Sequence, residues 1–472
     1  MMRLTPMASA AASAALILLT GCASGNIADS IQSARRETAS FTQGTLELAQ
    51  NPEQRAAQAQ AAAALLQNPL QQGDAVQLAL HNSPALQAML AESGANTLHA
   101  AQSGRLTNPM LQWSRLSGAG ELSIERTLSF GLLDLLLLPQ RQQSARHRIH
   151  QAQLELATQV ITQVTQVRQA WVRAVAAQQS LAYARQVYDS AQASAELARR
   201  MQASGNFSKL MRVRQQVFYA DAATQLATSQ HQVTSTREEL VRTLGLTESQ
   251  AEQMRLPQRL PDLPASARDA ASVNASASAA RLDIRIAQAA LEAAAKEQGL
   301  NLPSSLIDLE LGVRRDTRFD ANGTRSSGRG LEIGVRLPLF DLGENQRAAM
   351  NAHTLMQANR LQATLRAANS QLREHYSAYR TRHDIALHYR DEVVPLRKII
   401  LDENILRYNG MLSGVFEVLS DAREQITSVI GSINAAQDFW LADAALQAAI
   451  VGVPTMMGEA SMTENTMTGS MQ

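Results

Sequence analysis

Hydrophobic residues in the middle of the chain recur at the spacing of packed helices. A first series is Val160, Val164, Val167, Trp171, Ala174, Leu181, Tyr188 and Ala195, and a second is Leu210, Val213, Val217 and Ala220. Alternating steps of four and three are typical of knobs-into-holes packing between supercoiled helices. Since no proline lies between Gln143 and Ser204, the first helix could extend for roughly 90 Å. A second long helix is predicted over Glu344–Asn409, kinked at Pro395.

Two other stretches alternate between apolar and polar residues at a period of two, which predicts β-strands. They cover Leu306–Arg314 and Leu331–Leu337. The segment between them, Asp316–Arg329, is rich in Asn, Gly, Ser and Arg and is predicted to be a solvated loop. The alternation fits either a half-buried sheet or a membrane barrel with a polar lumen.

The order helix, strand, strand, long helix, turn, long helix occurs twice, which indicates an internal duplication. The earlier strands are predicted at Met110–Ser117 and Glu121–Ser129, although Arg115 and Arg126 fall on their apolar face. The predicted segments are a lipoprotein signal peptide (1–21), an N-terminal tether with a short helix near Pro52–Leu66 (22–73), a first repeat (74–255), a proline-rich linker (256–280), a second repeat (281–452) and a methionine-rich disordered tail (453–472).

The N-terminus has the pattern of a bacterial lipoprotein. A short basic start at Arg3 precedes an apolar stretch that is too short to span a membrane, and the stretch ends in Leu19-Thr20-Gly21-Cys22. Cys22 is the only cysteine, so it forms no internal disulfide. Cleavage before Cys22 and its acylation would anchor the chain to lipid. Ala23, rather than Asp, follows, which by resemblance to other lipoproteins indicates sorting to the outer membrane.

Four short strands set a physical limit on the fold. About eight strands are the minimum that enclose a packed barrel interior, and an open sheet edge is not tolerated in lipid. If the strands span a membrane, several chains must therefore contribute strands to one barrel. The Ala- and Gln-rich helices also have too few large apolar residues to be stable without lateral neighbours.

Composition and motifs argue against nucleic acid binding and catalysis. Net charge is +1 with both signs interspersed, and no apolar run of 18 residues occurs after the N-terminus. No zinc-protease, phosphate-loop or serine-hydrolase motif is present. His375, His383 and His388 do not share one helix face, so we predict neither enzymatic activity nor a cofactor.

Several short motifs, together with the duplication, resemble the TolC-type outer membrane efflux proteins, also called outer membrane factors, in their lipoprotein branch. The resemblance covers about residues 70–450. The matching motifs are Leu337-Pro338-Leu339-Phe340-Asp341-Leu342-Gly343, Pro395 followed by Tyr408-Asn409-Gly410, Glu417-Val418-Leu419, and Ala75-Val76 to Pro84-Ala85-Leu86. The first copy has weaker equivalents in Leu128-Ser129-Phe130-Gly131 and Ala203-Ser204-Gly205-Asn206.

The resemblance implies a mainly α fold with a small membrane β-barrel part: a homotrimer whose 12-stranded barrel continues as a helical barrel into the periplasm. It implies a passive duct that works with a periplasmic membrane-fusion adaptor and an inner-membrane pump. The adaptor would dock on the two helix-to-helix turns, which are Gly205, Asn206, Phe207, Ser208 and Gly410, Met411, Leu412, Ser413. An acidic gate would be formed by Glu417 and Asp421, which lie four residues apart on one helix face. One residue fewer than usual separates Tyr408 from Gly410, so the gate could be displaced by one residue.

The last 17 residues contain five methionines: Met456, Met457, Met462, Met467 and Met471. Thioether sulfur is a soft ligand that favours Cu(I) over harder ions. The tail therefore motivates the hypothesis of copper or silver export, against the alternative of a disordered tail with no metal.

Two other functions fit the same sequence. The chain could be a structural periplasmic coiled-coil lipoprotein without a pore, in which case its strands would form soluble hairpins. It could also be an outer-membrane duct for protein secretion.

Overall fold

The computed structural model describes residues 26–42, 44–118, 121–304, 308–336, 340 and 343–453. The elements, in chain order, are α1 Ile27–Thr42, α2 Pro52–Leu65, α3 Gln72–Asn82, α4 Pro84–Ser103, β1 Met110–Gly118, β2 Glu121–Gly131, α5 Leu132–Leu136, α6 Leu138–Ala203, α7 Lys209–Leu244, α8 Glu248–Gln253, α9 Ala270–Ala280, α10 Leu282–Ser304, β3 Asp308–Phe319, β4 Arg325–Arg336, α11 Glu344–His388, a π-helical turn Tyr389–Val393, α12 Val394–Asn409 and α13 Val415–Ile450. Of the described helices, none combines the length and the apolarity needed to cross a bilayer.

The chain divides into two compact units. One comprises Ala91–Leu156 and Ile284–Arg366 with the described residues up to Ala34. The other comprises Arg35–Leu90, Ala157–Asp283 and the described residues from Ala367 onward.

The first unit contains a four-stranded antiparallel sheet in the order β1-β2-β3-β4. Many of its apolar side chains are exposed rather than packed in a core: Leu111 is 71% exposed, Leu331 77% and Ile333 67%. Within the described residues, no further strand pairs with the free edge of β1 or of β4. The sheet in a single chain therefore leaves both an apolar face and two edges without a partner.

The second unit contains the main core, where the predicted heptad series is buried. Val160, Val164 and Val167 are each 2% exposed or less, and the Trp171 indole N–H donates to the carbonyl of Leu70 at 2.7 Å. A second cluster joins α9, α11 and α13 around Tyr379 and other buried side chains. The prediction of a long packed helix before Ser204 is confirmed.

A buried charged network crosses the same core. The Arg168 guanidinium donates to the carbonyl of Phe41 at 2.6 Å and to the side chain of Gln447 at 2.9 Å. Asp443 accepts from Gln447 and lies 3.1 Å from Arg268. Burial lowers the pKa of Arg168 and raises the pKa of Asp443, because both charges are removed from water. These contacts stabilise the end of α1 against the core.

The predicted irregularity near Pro395 is present as a π-helical turn. The turn Tyr389–Val393 separates α11 from α12, and Pro395 lies in the first turn of α12. Proline lacks a backbone N–H and its ring clashes with the carbonyl four residues earlier. The wider π turn accommodates this conflict while the chain stays helical.

Two sequence predictions differ from the structure. The predicted loop Asp316–Arg329 is wrong over most of its length, because β3 and β4 extend through it and only 320–324 connect them. Polar side chains occupy both faces there, which concealed the period of two. Helix α1 also lies in the segment interpreted as a tether. Its residues Ile31, Ala34, Thr38 and Phe41 recur at helical spacing and are buried, a signal that the sequence interpretation did not use.

Candidate functional site

The first helix-to-helix turn follows the chemistry of its residues. Gly205 has a φ of +79°, which an L side chain disfavours. The N–H groups of Gly205 and Asn206 bond the carbonyls of Gln202 and Met201 at 3.0 and 2.9 Å, which closes the end of α6. The Ser208 hydroxyl then accepts from the N–H of Met211 at 3.2 Å and caps α7.

The second turn is built differently. Met411, not Gly410, has the positive φ of 57°, and it is the one non-glycine residue with positive φ in the described part of the chain. The N–H of Leu412 donates a hydrogen bond to the carbonyl of Arg407 at 2.8 Å. Gly414 immediately precedes α13 and offers no side chain to cap it. Met411 is 94% exposed and Leu412 75% exposed. The turn thus presents two large apolar side chains to solvent.

A contact that the sequence analysis missed joins the regions of the two turns. The ring of Phe207 stacks on the ring of Phe416, with centroids 4.6 Å apart and planes 25° from parallel. Phe207 belongs to the first predicted docking turn, and Phe416 follows the second by three residues. The chain has only 8 Phe, so the presence of one at each turn was the sequence signal for this contact. The stack places the predicted residues of both turns in one region.

The two predicted gate carboxylates have different surroundings. Asp421 is half-buried and accepts a hydrogen bond from the side-chain amide of Asn404 in the facing helix α12. Glu417 is exposed, and none of the described side chains pairs with it. One turn beyond Asp421 along α13, Glu424 forms an ion pair with Arg397. In this chain Asp421 contributes to the contact between α12 and α13, whereas the Glu417 carboxylate is free.

A groove of about 570 Å³ lies beside the first turn, between α6 and α7. Tyr219 lines the groove, and its hydroxyl shares a hydrogen bond of 3.0 Å with the hydroxyl of Tyr188. On its wall, Glu196 binds both Arg199 and Arg200, which lowers the pKa of the Glu196 carboxyl to about 2. The groove therefore has a mixed charged rim.

The histidines noted in the sequence do not form a site. His375 and His383 are buried on α11, whereas His388 is exposed and lies 3.2 Å from Glu392. In the part of the chain that the structure describes, no group of three or more His, Cys, Asp or Glu residues could hold a metal ion. Cys22, the signal peptide, most of the Leu337–Leu342 motif and the five tail methionines lie outside the described residues.

Neither a protein-family model nor a curated protein sequence matches the chain. Solved structures do match. A membrane protein from Pseudomonas aeruginosa superposes with a TM-score of 0.66 at 18% identity, over 83% of this chain and 93% of that chain. The outer membrane protein VceC from Vibrio cholerae gives 0.64 at 16% identity, over 84% and 96%. The CmeC outer membrane channel from Campylobacter jejuni gives 0.64 at 13% identity, over 84% and 86%.

These likenesses extend over most of each chain. The chain therefore has the fold of TolC-type outer membrane channels, and the resemblance predicted from its sequence is confirmed.

Proposed function

We propose that three copies of this chain form the outer-membrane duct of a tripartite efflux system, a passive conduit supplied by a periplasmic adaptor and an inner-membrane pump. The observation that carries this proposal is the sheet with an exposed apolar face and two unpaired edges. Exposed apolar residues on one sheet face suit contact with lipid, and unpaired edges require neighbouring strands. Three copies would supply 12 strands, since each contributes four.

The helices support the same assembly. The second heptad series is exposed in the single chain, with Leu210 at 63%, Val213 at 42% and Val217 at 54%. On α12, Leu396 and Leu406 are similarly exposed. Knob residues without holes in their own chain indicate neighbouring helices from other copies. Leaving these apolar side chains in contact with water is unfavourable unless a partner surface covers them.

Attachment to the membrane is proposed to begin at Cys22, the first residue after cleavage of segment 1–21. The chain would then be lipid-anchored in the outer membrane and extend into the periplasm. Mass measurement of the N-terminal peptide tests the anchor directly, because acylation of Cys22 with long hydrocarbon chains adds on the order of several hundred daltons. An unmodified N-terminal Cys22 would contradict the anchor without affecting the duct.

Adaptor docking is proposed at the two turns, where Met411 and Leu412 are the most exposed apolar residues and the Phe207–Phe416 stack holds the surface together. Photo-crosslinking from position 412 in intact cells should capture a periplasmic partner. A probe at exposed position 228, on α7 away from the turns, serves as the control. Equal capture from both positions would contradict docking at the turn.

The gate is proposed to depend on Glu417 more than on Asp421, because Glu417 is the free carboxylate. In a trimer three such carboxylates would meet, favour cations and repel one another. Glu417→Gln should reduce cation selectivity in planar bilayers while leaving the unfolding free energy within about 0.5 kcal/mol. Asp421→Asn keeps the size of the side chain and is the matched variant.

The same recordings test the duct itself. Purified full-length protein should give discrete channel conductance as a trimer. Insertion without conductance would favour the structural lipoprotein. Conductance with no change in cellular resistance to toxic compounds after deletion would favour protein secretion. A copper or silver cargo is a finer hypothesis. It requires Cu(I) binding by the full-length protein to be lost when the five tail methionines are replaced by leucine.

A further inference from the structure

The register of the sheet sorts its side chains into two faces. Residues directly opposite each other in an antiparallel pair point to the same face, and successive residues point to opposite faces. One cross-strand row contains only apolar residues: Leu111, Leu128, Val313 and Leu331. We call the face that carries this row the apolar face and the opposite one the polar face.

Acidic and basic residues are distributed unequally between these faces. Of the strand side chains that the structure describes, all the acidic ones lie on the polar face: Glu121, Glu125, Glu310, Asp316 and Glu332. Five arginines lie instead on the apolar face: Arg115, Arg126, Arg315, Arg325 and Arg329. The apolar face of the described strands is therefore purely cationic wherever it is charged.

Ion pairing follows the same division. On the polar face, Arg314 lies 2.8 Å from Glu125 and 2.8 Å from Asp316. The five arginines of the apolar face are exposed, and no described carboxylate forms an ion pair with any of them. Their charge is not compensated within the described part of the chain.

Three of these arginines form a continuous row. Trp113 lies opposite Arg126, Arg126 opposite Arg315, and Arg315 opposite Arg329. We call Arg126, Arg315 and Arg329 the arginine row. Neighbouring strands are about 4.8 Å apart, so the three arginines span about 10 Å. Like charges directly opposite each other destabilise a sheet, so the row favours an anion that bridges them.

The position of the row along the strands indicates which anion it meets. The row lies four to five residues from the turn ends of its three strands, and the apolar residues follow it toward the ends that lead to the helices. Trp113, 60% exposed, stands at the same level. Tryptophan concentrates at the boundary between hydrocarbon and headgroups, where arginine also places its charge.

We propose that the arginine row binds the phosphate groups of anionic lipids in the outer leaflet around the duct. The inference rests on the proposed function, in which the apolar face contacts lipid. Arginine forms paired hydrogen bonds with phosphate oxygens, and a row of three suits a headgroup that carries more than one phosphate. The phosphates would offset the repulsion within the row and fix the depth of the barrel in the membrane.

The test uses the full-length protein in nanodiscs of phosphatidylcholine with and without lipid A. Lipid A retained by the purified protein is measured by native mass spectrometry. Wild type should retain lipid A, and Arg126→Gln/Arg315→Gln/Arg329→Gln should lose it, by about fivefold for each arginine. Arg318→Gln is the matched control, because Arg318 is an exposed arginine of the same strand β3 on the polar face.

Several outcomes overturn the inference. Equal retention by wild type and the triple variant does so, as does an equal loss in Arg318→Gln. The inference is also overturned if inorganic phosphate alone stabilises the protein against thermal unfolding as much as lipid A does. If the triple variant fails to assemble, Arg315→Gln alone must still lower retention about fivefold. Conductance is recorded in parallel: absent conductance in wild type contradicts the proposed function, whereas normal conductance with unchanged retention contradicts only the arginine row.

Discussion

The two helical hairpins have the same order of elements but different local support. In the first, α6 runs without interruption to Ala203, Gly205 takes the left-handed position, and Ser208 caps α7. In the second, a π turn precedes Pro395, Met411 takes the left-handed position, and α13 starts without a side-chain cap.

The difference lies in what stabilises each hairpin. In the first, α6 buries its heptad residues around Trp171, whereas the heptad residues of α7 are exposed. In the second, no residue of α12 is buried, and α12 contacts α13 through Arg397–Glu424 and Asn404–Asp421. The pairing of α12 with α13 near the second turn therefore depends on a few polar contacts, whereas α11 and α13 pack around Tyr379 farther from the turn. In the proposed duct, we expect the α12–α13 pair to be the part that moves on opening.

The largest expected effect concerns the two helical tryptophans. Trp171 is 1% exposed and bonds Leu70 at 2.7 Å, whereas Trp440 on α13 is half-buried and bonds Pro261 at 3.2 Å. Trp171→Ala should lower the free energy of unfolding by about 3–5 kcal/mol, and Trp440→Ala by about 1–3 kcal/mol. Urea unfolding followed by circular dichroism measures both. Equal losses would remove the contrast in burial.

Pro395→Ala should have the opposite sign. Alanine restores a backbone donor and removes the ring clash, so α11 and α12 can join as one α-helix. We expect stabilisation by about 1–3 kcal/mol, with slower amide hydrogen exchange across Tyr389–Val393. Pro257→Ala in the linker is the control and should leave that exchange unchanged. Unchanged exchange in Pro395→Ala would show that proline is not the cause of the π turn.

The turns provide a paired test of intermediate size. Gly205→Ala forces an L side chain to a φ of +79° and should cost about 1–2 kcal/mol. Gly410 has a φ of −81°, and a Cβ there would lie no closer than 3.5 Å to its neighbours. Gly410→Ala should therefore be tolerated, whereas Met411→Gly should stabilise the second turn by about 1 kcal/mol. Thermal unfolding compares the three variants, and a destabilising Gly410→Ala would contradict this geometry.

The smallest effect is the pH dependence of the unfolding free energy that His375 of the second hairpin contributes. Burial lowers the pKa of His375, whose Nδ1 has no hydrogen-bond partner among the described residues. The folded state therefore favours the neutral ring, and stability should fall as pH drops below about 6.5, by at most about 1 kcal/mol. His375→Leu should abolish this part of the dependence, whereas His388→Gln, at an exposed position, should preserve it. Unfolding at a series of pH values measures the slopes.

The sequence predicted those parts of the fold that have a strong local period. The heptads of α6 and the alternation in β3 and β4 fall into this class. The halves of β3 and β4 next to their connecting loop were missed, because arginine and serine occupy the apolar face there. In the candidate site, both turns were predicted, but the left-handed position of Met411 and the Phe207–Phe416 stack were not. These depend on how distant segments pack, which one sequence does not encode as a period.

In the proposed trimer, a single subunit is an incomplete product, because no described strand pairs with the outer edges of β1 and β4. On this proposal, an exported copy that does not associate with two others would carry two strand edges that can pair with any extended chain, which is a recognised route to aggregation. Variants that slow association should therefore reduce the amount of protein recovered in the cell envelope without leaving a pool of free monomer. If the trimer forms as proposed, the abundance of this protein in the cell envelope measures its assembly.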